Sequence, residues 1–166
     1  MKKPNKLPQE IVDLLLPRLS DEYAAFYNYQ AISNWCQNVG FFKAAKFFEA
    51  ESADELVHAK KIESYLVDWN VIPALPSITK PQLEFKTLAD AIQKGYDMEY
   101  ALYEEYEDTS IKVFKTGDIS AFDFLQFYRN TQVSSVAQYS DMLNVLDGVE
   151  ITKFNMLLLE ETLFGE

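Results

Sequence analysis

Apolar side chains recur at intervals of three and four along four long stretches of the chain, the spacing that lines one face of an α-helix. The first stretch runs from Gln9 to Val39 and stops at Gly40, a residue suited to the left-handed position after a helix end. Pro17 lies inside it and predicts a kink or a late start. The second runs from Phe41 to Trp69; the lone glycine between the two leaves room only for a tight reversal, so this pair is expected to be antiparallel. From Asn70 to Lys86 the chain holds Pro73, Pro76 and Pro81 and reads as extended. Those seventeen residues reach about 56 Å at roughly 3.3 Å each, against about 43 Å for the second helix at roughly 1.5 Å per residue. The connection is thus long enough to run the length of a bundle and set the second and third helices parallel. Its apolar residues Val71, Ile72, Leu75, Ile78, Leu83 and Phe85 are expected to pack on the bundle surface. The third helix spans Thr87 to Lys115, and Thr116-Gly117-Asp118 supplies a turn and an N-cap for a fourth, antiparallel to it, over Ile119 to Leu146. Beyond Asp147-Gly148, a short and very apolar segment from Ile151 to Phe164 exceeds what a four-helix core needs. It is expected to pack against other subunits, with folding over its own bundle end as the alternative.

The predicted class is all-α: a four-helix bundle over about residues 9–147, one long crossover between helices two and three, and a short fifth C-terminal helix at 151–164, in one domain across residues 1–166. No stretch alternates as a strand, and only 5 Gly and 6 Pro among 166 residues disfavour a turn-rich β-fold. Asp and Glu number 26 against 15 Lys and Arg, for a net charge of -11. Such a polyanion repels phosphate backbones, so nucleic acid is not an expected partner and cations are. Lys2, Lys3 and Lys6 near the start read as a solvated tail. Cys36 stands alone, which excludes an internal disulfide and any multi-cysteine zinc site. The N-terminal stretch lacks the apolar run of a signal peptide and nothing reads as a membrane span, so a cytoplasmic location is expected.

Chemistry enters where polar residues interrupt the apolar stripes. Helix one gives Val12, Leu15, Leu19, Glu22, Phe26, Tyr29, Ser33 and Cys36, and helix two gives Ala45, Phe48, Ser52, Glu55, Ala59, Ile62 and Leu66, with His58 one turn beyond Glu55. Helix three gives Leu88, Ile92, Gly95, Glu99, Leu102, Tyr106, Ser110 and Val113; helix four gives Leu125, Tyr128, Gln132, Val136, Tyr139, Leu143 and Leu146. Each stripe thus carries one carboxylate or amide, and Glu22, Glu55, Glu99 and Gln132 each fall within two residues of their helix midpoint, an axial mismatch of about 3 Å. Mid-helix residues meet at mid-bundle whichever way each helix points. Three carboxylates and an imidazole in an apolar core are destabilising unless cations neutralise them. An oxygen-rich set with a single imidazole suits iron or manganese better than structural zinc. A purely structural polar network is the competing reading.

These residues, together with NYQAISNWC, the segment from Asp54 to Lys61, the proline-bearing crossover and FDFLQFYRNTQV, resemble a ferritin. The resemblance covers Gln9 to Leu146 and implies a non-haem, ferroxidase-type iron store that assembles as a homo-oligomeric 24-mer around a hollow cavity. It implies that Glu22, Glu55 and His58 hold a first iron, that Glu55 bridges to a second held by Glu99, and that Gln132 is the amide beside that second site. Tyr29 matches a tyrosine next to the centre that hydrogen-bonds a ligand or supplies an electron, with plain packing as the alternative. The implied reaction is oxidation of Fe(II) to Fe(III) by molecular oxygen, or by peroxide, with ferric mineral deposited in the cage.

The departures from the family pattern are specific. Ser135 stands where bacterial ferritins carry a further acidic or histidine ligand, which implies a more weakly held second iron. Thr131 and Ser134 replace carboxylates of a third iron position, though Asp54 is kept. Leu56 replaces the axial methionine of haem-binding relatives, so no haem is expected. At the pore positions Asp123 matches, but Gln126 does not. Glu49, Glu51 and Asp54 are candidates for mineral nucleation on a cavity face. Two alternatives follow: a non-enzymatic cage subunit with an impaired second site, and a small-assembly di-iron oxidoreductase, which would prefer a second complete Glu-x-x-His.

Overall fold

The computed structural model describes residues 6–165, so Lys2 and Lys3 lie outside the described residues, while Lys6 is exposed. Five helices and no strand occur among the described residues: α1 Gln9–Val39, α2 Phe42–Asp68, α3 Leu88–Thr116, α4 Ile119–Leu146 and α5 Lys153–Phe164. Their ends follow the local chemistry. Gly40 takes the left-handed conformation (φ 91°) that only glycine adopts without strain, and its N–H bonds back to the Cys36 carbonyl. Thr87, Asp118 and Thr152 each accept a backbone N–H of the helix they open, at 3.1, 2.9 and 3.1 Å.

Pro17 does not delay α1, which is helical from Gln9 onward. The carbonyl that loses its donor is that of Asp13, and both Pro17 and Asp13 are exposed, on the side of the helix where a lost internal hydrogen bond costs least.

The stripes meet as predicted. Every residue named on the α2 and α3 stripes is buried, and on α1 and α4 only Phe26, Val136 and Leu143 are partly exposed. Contacts between helices give their directions. On α1 and α3, Arg18 meets Thr109, Glu22 meets Tyr106 and Tyr29 meets Glu99, an antiparallel order. The Leu7 N–H reaches the Trp69 carbonyl, setting α2 antiparallel to α1. Helices α2 and α3 are therefore parallel, and the crossover travels from Trp69, beside the start of α1, to Phe85, whose ring lies 5.4 Å from Trp35 near the end of α1. Along that path Val71 and Phe85 pack against the core, but Ile72, Leu75 and Leu83 are exposed. An extended chain has only one side to lay down, so these three face outward.

Helix α5 takes the alternative placement and folds over its own bundle end. Met156 and Leu163 are buried, and Phe164 packs 5.2 Å from Phe47 and 5.9 Å from Phe48. The buried Glu160 accepts the N–H groups of Lys43 and Ala44 at 3.1 and 3.0 Å, so a side chain of α5 satisfies donors at the start of α2. Phe154, Leu157 and Leu158, on the opposite face, stay exposed.

Candidate metal centre

At mid-height in the bundle the polar interruptions converge. Glu22, Glu55 and Glu99 are buried in an otherwise apolar interior, as is Gln132, and the His58 side chain is 12% exposed. One ligand atom from each of Glu22, Glu55 and His58 falls within a 4.8 Å group. His58 Nδ1 lies 3.0 Å from Glu55 Oε2 and 3.5 Å from Glu22 Oε2. Glu99 stands outside this tight group, beside it on α3.

Two buried phenols hold the carboxylates from opposite ends. Tyr29 donates to Glu99 Oε1, and Tyr106 donates to Glu22 Oε1. With its amide nitrogen turned toward Glu99, Gln132 donates to Glu99 Oε2 at 2.8 Å and to the Glu99 carbonyl at 3.2 Å. The rings continue outward as stacks: Tyr106 on Tyr128 at 4.8 Å, and Tyr29 on Tyr139 at 6.2 Å. Tyr128 also donates to the His58 carbonyl at 2.8 Å, which fixes the turn of α2 that presents the imidazole. The sequence singles out Tyr29 but reads Tyr106 as core. The signal for Tyr106 is its place two turns after Glu99 on the same face, level with Glu22 on an antiparallel neighbour.

Burial pushes the Glu55 carboxyl well above the usual carboxylate range, and Glu22 beside it pushes further. Burial also raises Glu99, to about 7, although the Tyr29 phenol opposes the shift. Tyr29 and Tyr106 are held well above the usual phenol value, by burial first and then by neighbouring phenols and carboxylates, so both remain donors. Glu22 Oε2 is buried and accepts no hydrogen bond. A buried carboxylate oxygen that faces a second carboxylate and an imidazole nitrogen is costly unless a proton or a cation sits between them, and the cluster therefore takes up either. The donor set, oxygen-rich with one imidazole, fits a first-row divalent ion such as Fe(II).

A four-helix bundle with a lengthwise crossover and a carboxylate–imidazole cluster at its centre defines a class of metal-binding helical proteins. Comparison with known proteins narrows the class. A family model described as a ferritin-like domain matches residues 12–149. A probable bacterial non-heme ferritin-like protein of Haemophilus influenzae is 30% identical over 141 residues, covering 85% of this chain and 86% of that protein. A bacterial non-heme ferritin of Campylobacter jejuni is 28% identical, covering 83% of each. Among solved structures, a humanized archaeal ferritin matches with a TM-score of 0.90 at 20% identity, covering 97% of this chain and 98% of that one. An open pore ferritin from Archaeoglobus fulgidus gives 0.89 at 19% identity, covering 96% and 98%. The chain belongs to the ferritin family.

Among the described residues, no helix is long and apolar enough to cross a membrane.

Proposed function

We propose that this chain stores and detoxifies iron by oxidising Fe(II) to Fe(III) within its own bundle and releasing the product to a mineral inside a cage of identical subunits. The observation that carries the reading is the buried, donor-less Glu22 Oε2 facing Glu55 and His58 at mid-bundle. Glu22, Glu55 and His58 hold the first Fe(II); Glu55 bridges to a second beside Glu99 and Gln132. Each Fe(II) gives one electron, and molecular oxygen takes the pair with two protons to leave as hydrogen peroxide. The carboxylates bind the substrate ions, and their negative charge favours the ferric product. His58 binds as neutral imidazole through the Nδ1 that faces the carboxylates. Tyr29 and Tyr106 each hold one oxygen of a terminal carboxylate. For Glu22 this leaves the other oxygen free toward the first metal; on Glu99 the other oxygen accepts from Gln132 and keeps its second lone pair for the second ion.

Stopped-flow oxidation of Fe(II), added in rising ratio to aerobic apo-protein, tests this. A fast phase that saturates at about two ions per chain, and that Glu55→Ala abolishes with the assembly intact, is the expected result. Ser135, which supplies no carboxylate, favours one competing reading, a shell subunit without oxidase chemistry. An intact assembly with no fast phase establishes that reading instead.

A further inference from the structure

Three acidic residues of α2 flank the centre, and one differs from the others. Glu49 and Asp54 are exposed, whereas Glu51 is half-buried and turned inward, with Oε2 3.3 Å from the hydroxyl of the fully buried Tyr139. That tyrosine is held from three sides. Its ring stacks on Tyr29, meets Phe47 edge-on at 6.0 Å, and lies where a Cβ on Gly95 would come within 2.3 Å of it. Gly95 is thus the gap in α3 that lets the ring lie against that helix.

The axial order along the bundle locates Glu51. Going one way, α2 presents His58, Glu55, then Glu51, one turn apart and on adjoining lines of one face. In the same direction α3 presents Tyr106, Glu99 and Gly95, and α4 presents Tyr128, Gln132, Ser135 and Tyr139. Glu51 therefore lies on the Glu99 side of the centre, away from Tyr106 and Glu22, and at the level of Ser135 and Tyr139. Burial, and next the charge of Glu99, push its carboxyl up to about 7. Asp54 keeps to the surface of the same helix.

We propose that Glu51 is a ligand to the second Fe(II), supplying from α2 the carboxylate that α4 lacks at Ser135, with Tyr139 holding it ready. The inference rests on the di-iron reading above. An oxygen donor here gives the second ion Glu55, Glu99 and Glu51, a hard donor set suited to Fe(II) and to its ferric product. Ser135 is then a relocated ligand position and no longer a defect.

The test counts bound ions without turnover. Apo-protein is titrated anaerobically with Co(II), followed by visible absorption and by calorimetry, in the native chain, Glu51→Gln, Glu51→Gln with Ser135→Glu, and Glu99→Ala. The expected result is two binding phases in the native chain, loss of the second alone in Glu51→Gln, and its recovery when Ser135→Glu returns a carboxylate from α4. Glu51→Asp, which withdraws the carboxylate by one methylene, gives a weakened second phase and serves if Glu51→Gln does not assemble. An unchanged second phase in Glu51→Gln overturns the proposal, as does loss of both phases, which would assign Glu51 to the fold. Two unchanged phases in Glu99→Ala would overturn the underlying di-iron reading instead.

Discussion

Glu51 and Glu99 are both raised by burial from the usual 4.5 to about 7, so the folded apo-chain holds their protons more tightly than the unfolded chain does. The stability this contributes is fully present below about 4.5 and is lost as pH rises through about 7. Apo-protein is therefore expected to melt at a higher temperature near pH 5 than near pH 8. Added Co(II), which replaces the protons, should raise the melting temperature most at the higher pH. A calorimetric melting temperature for apo-protein that is flat or climbs between those values would contradict the assignment. Gly95 offers a second test at this scale. Because the Tyr139 ring is hemmed in by Tyr29 and Phe47, Gly95→Ala should destabilise the fold by about 1–3 kcal/mol in denaturant unfolding. A change near zero would show the ring free to step aside. The convergence of Glu22, Glu55, Glu99 and Gln132 at mid-bundle is legible in the sequence because a charge or amide on an apolar stripe breaks a period, and His58 follows from its spacing of three from Glu55. Tyr106 and Tyr139 are not legible in this way, because a tyrosine on such a stripe keeps the period whether its hydroxyl is idle or holds a carboxylate.

The four bundle helices are legible nearly to the residue, since each shows one apolar face to one core; Gly40, Thr87, Gly117, Asp118 and Asp147 mark ends of α1, α3 and α4, and α2 is bounded by the tight reversal at Gly40 and the proline-bearing crossover. The crossover has no helical period to say which of its apolar residues lie inward, and Ile72, Leu75 and Leu83 turned outward. Helix α5 is apolar nearly all round, so its sequence did not choose between its own bundle and a neighbour. The choice rests on contacts at the end of α1 and the start of α2: Glu160 on the N–H groups of Lys43 and Ala44, and Lys153 Nζ on the Val39 carbonyl at 2.7 Å. Glu160→Ala should accordingly cost about 1 kcal/mol, the scale of a lost helix cap. Hydrogen exchange should show the loss confined to α5 and the first turn of α2. Protection lost equally at the middle of α1 and α3 would mean that α5 supports the whole bundle.

One chain leaves Leu75, Leu83, Phe154 and Leu158 exposed while carrying a net charge of -11. In the proposed cage these exposed apolar residues would be covered by neighbouring subunits, and the negative charge would draw cations toward it. Sedimentation of the apo-protein is expected to show a closed, symmetric assembly of about 24 subunits. A monomer or dimer at micromolar concentration would contradict the cage. The assembly number came from family likeness, because subunit symmetry leaves no periodic trace in a single sequence. The metal centre, by contrast, follows from residues inside one chain, and everything proposed about iron chemistry depends on it. The most direct test is anomalous scattering at the iron edge from crystals loaded anaerobically with Fe(II). Two peaks inside each bundle, one among Glu22, Glu55 and His58 and one beside Glu55 and Glu99, are the predicted result. Iron confined to surface carboxylates, with no peak at mid-bundle, would contradict the account.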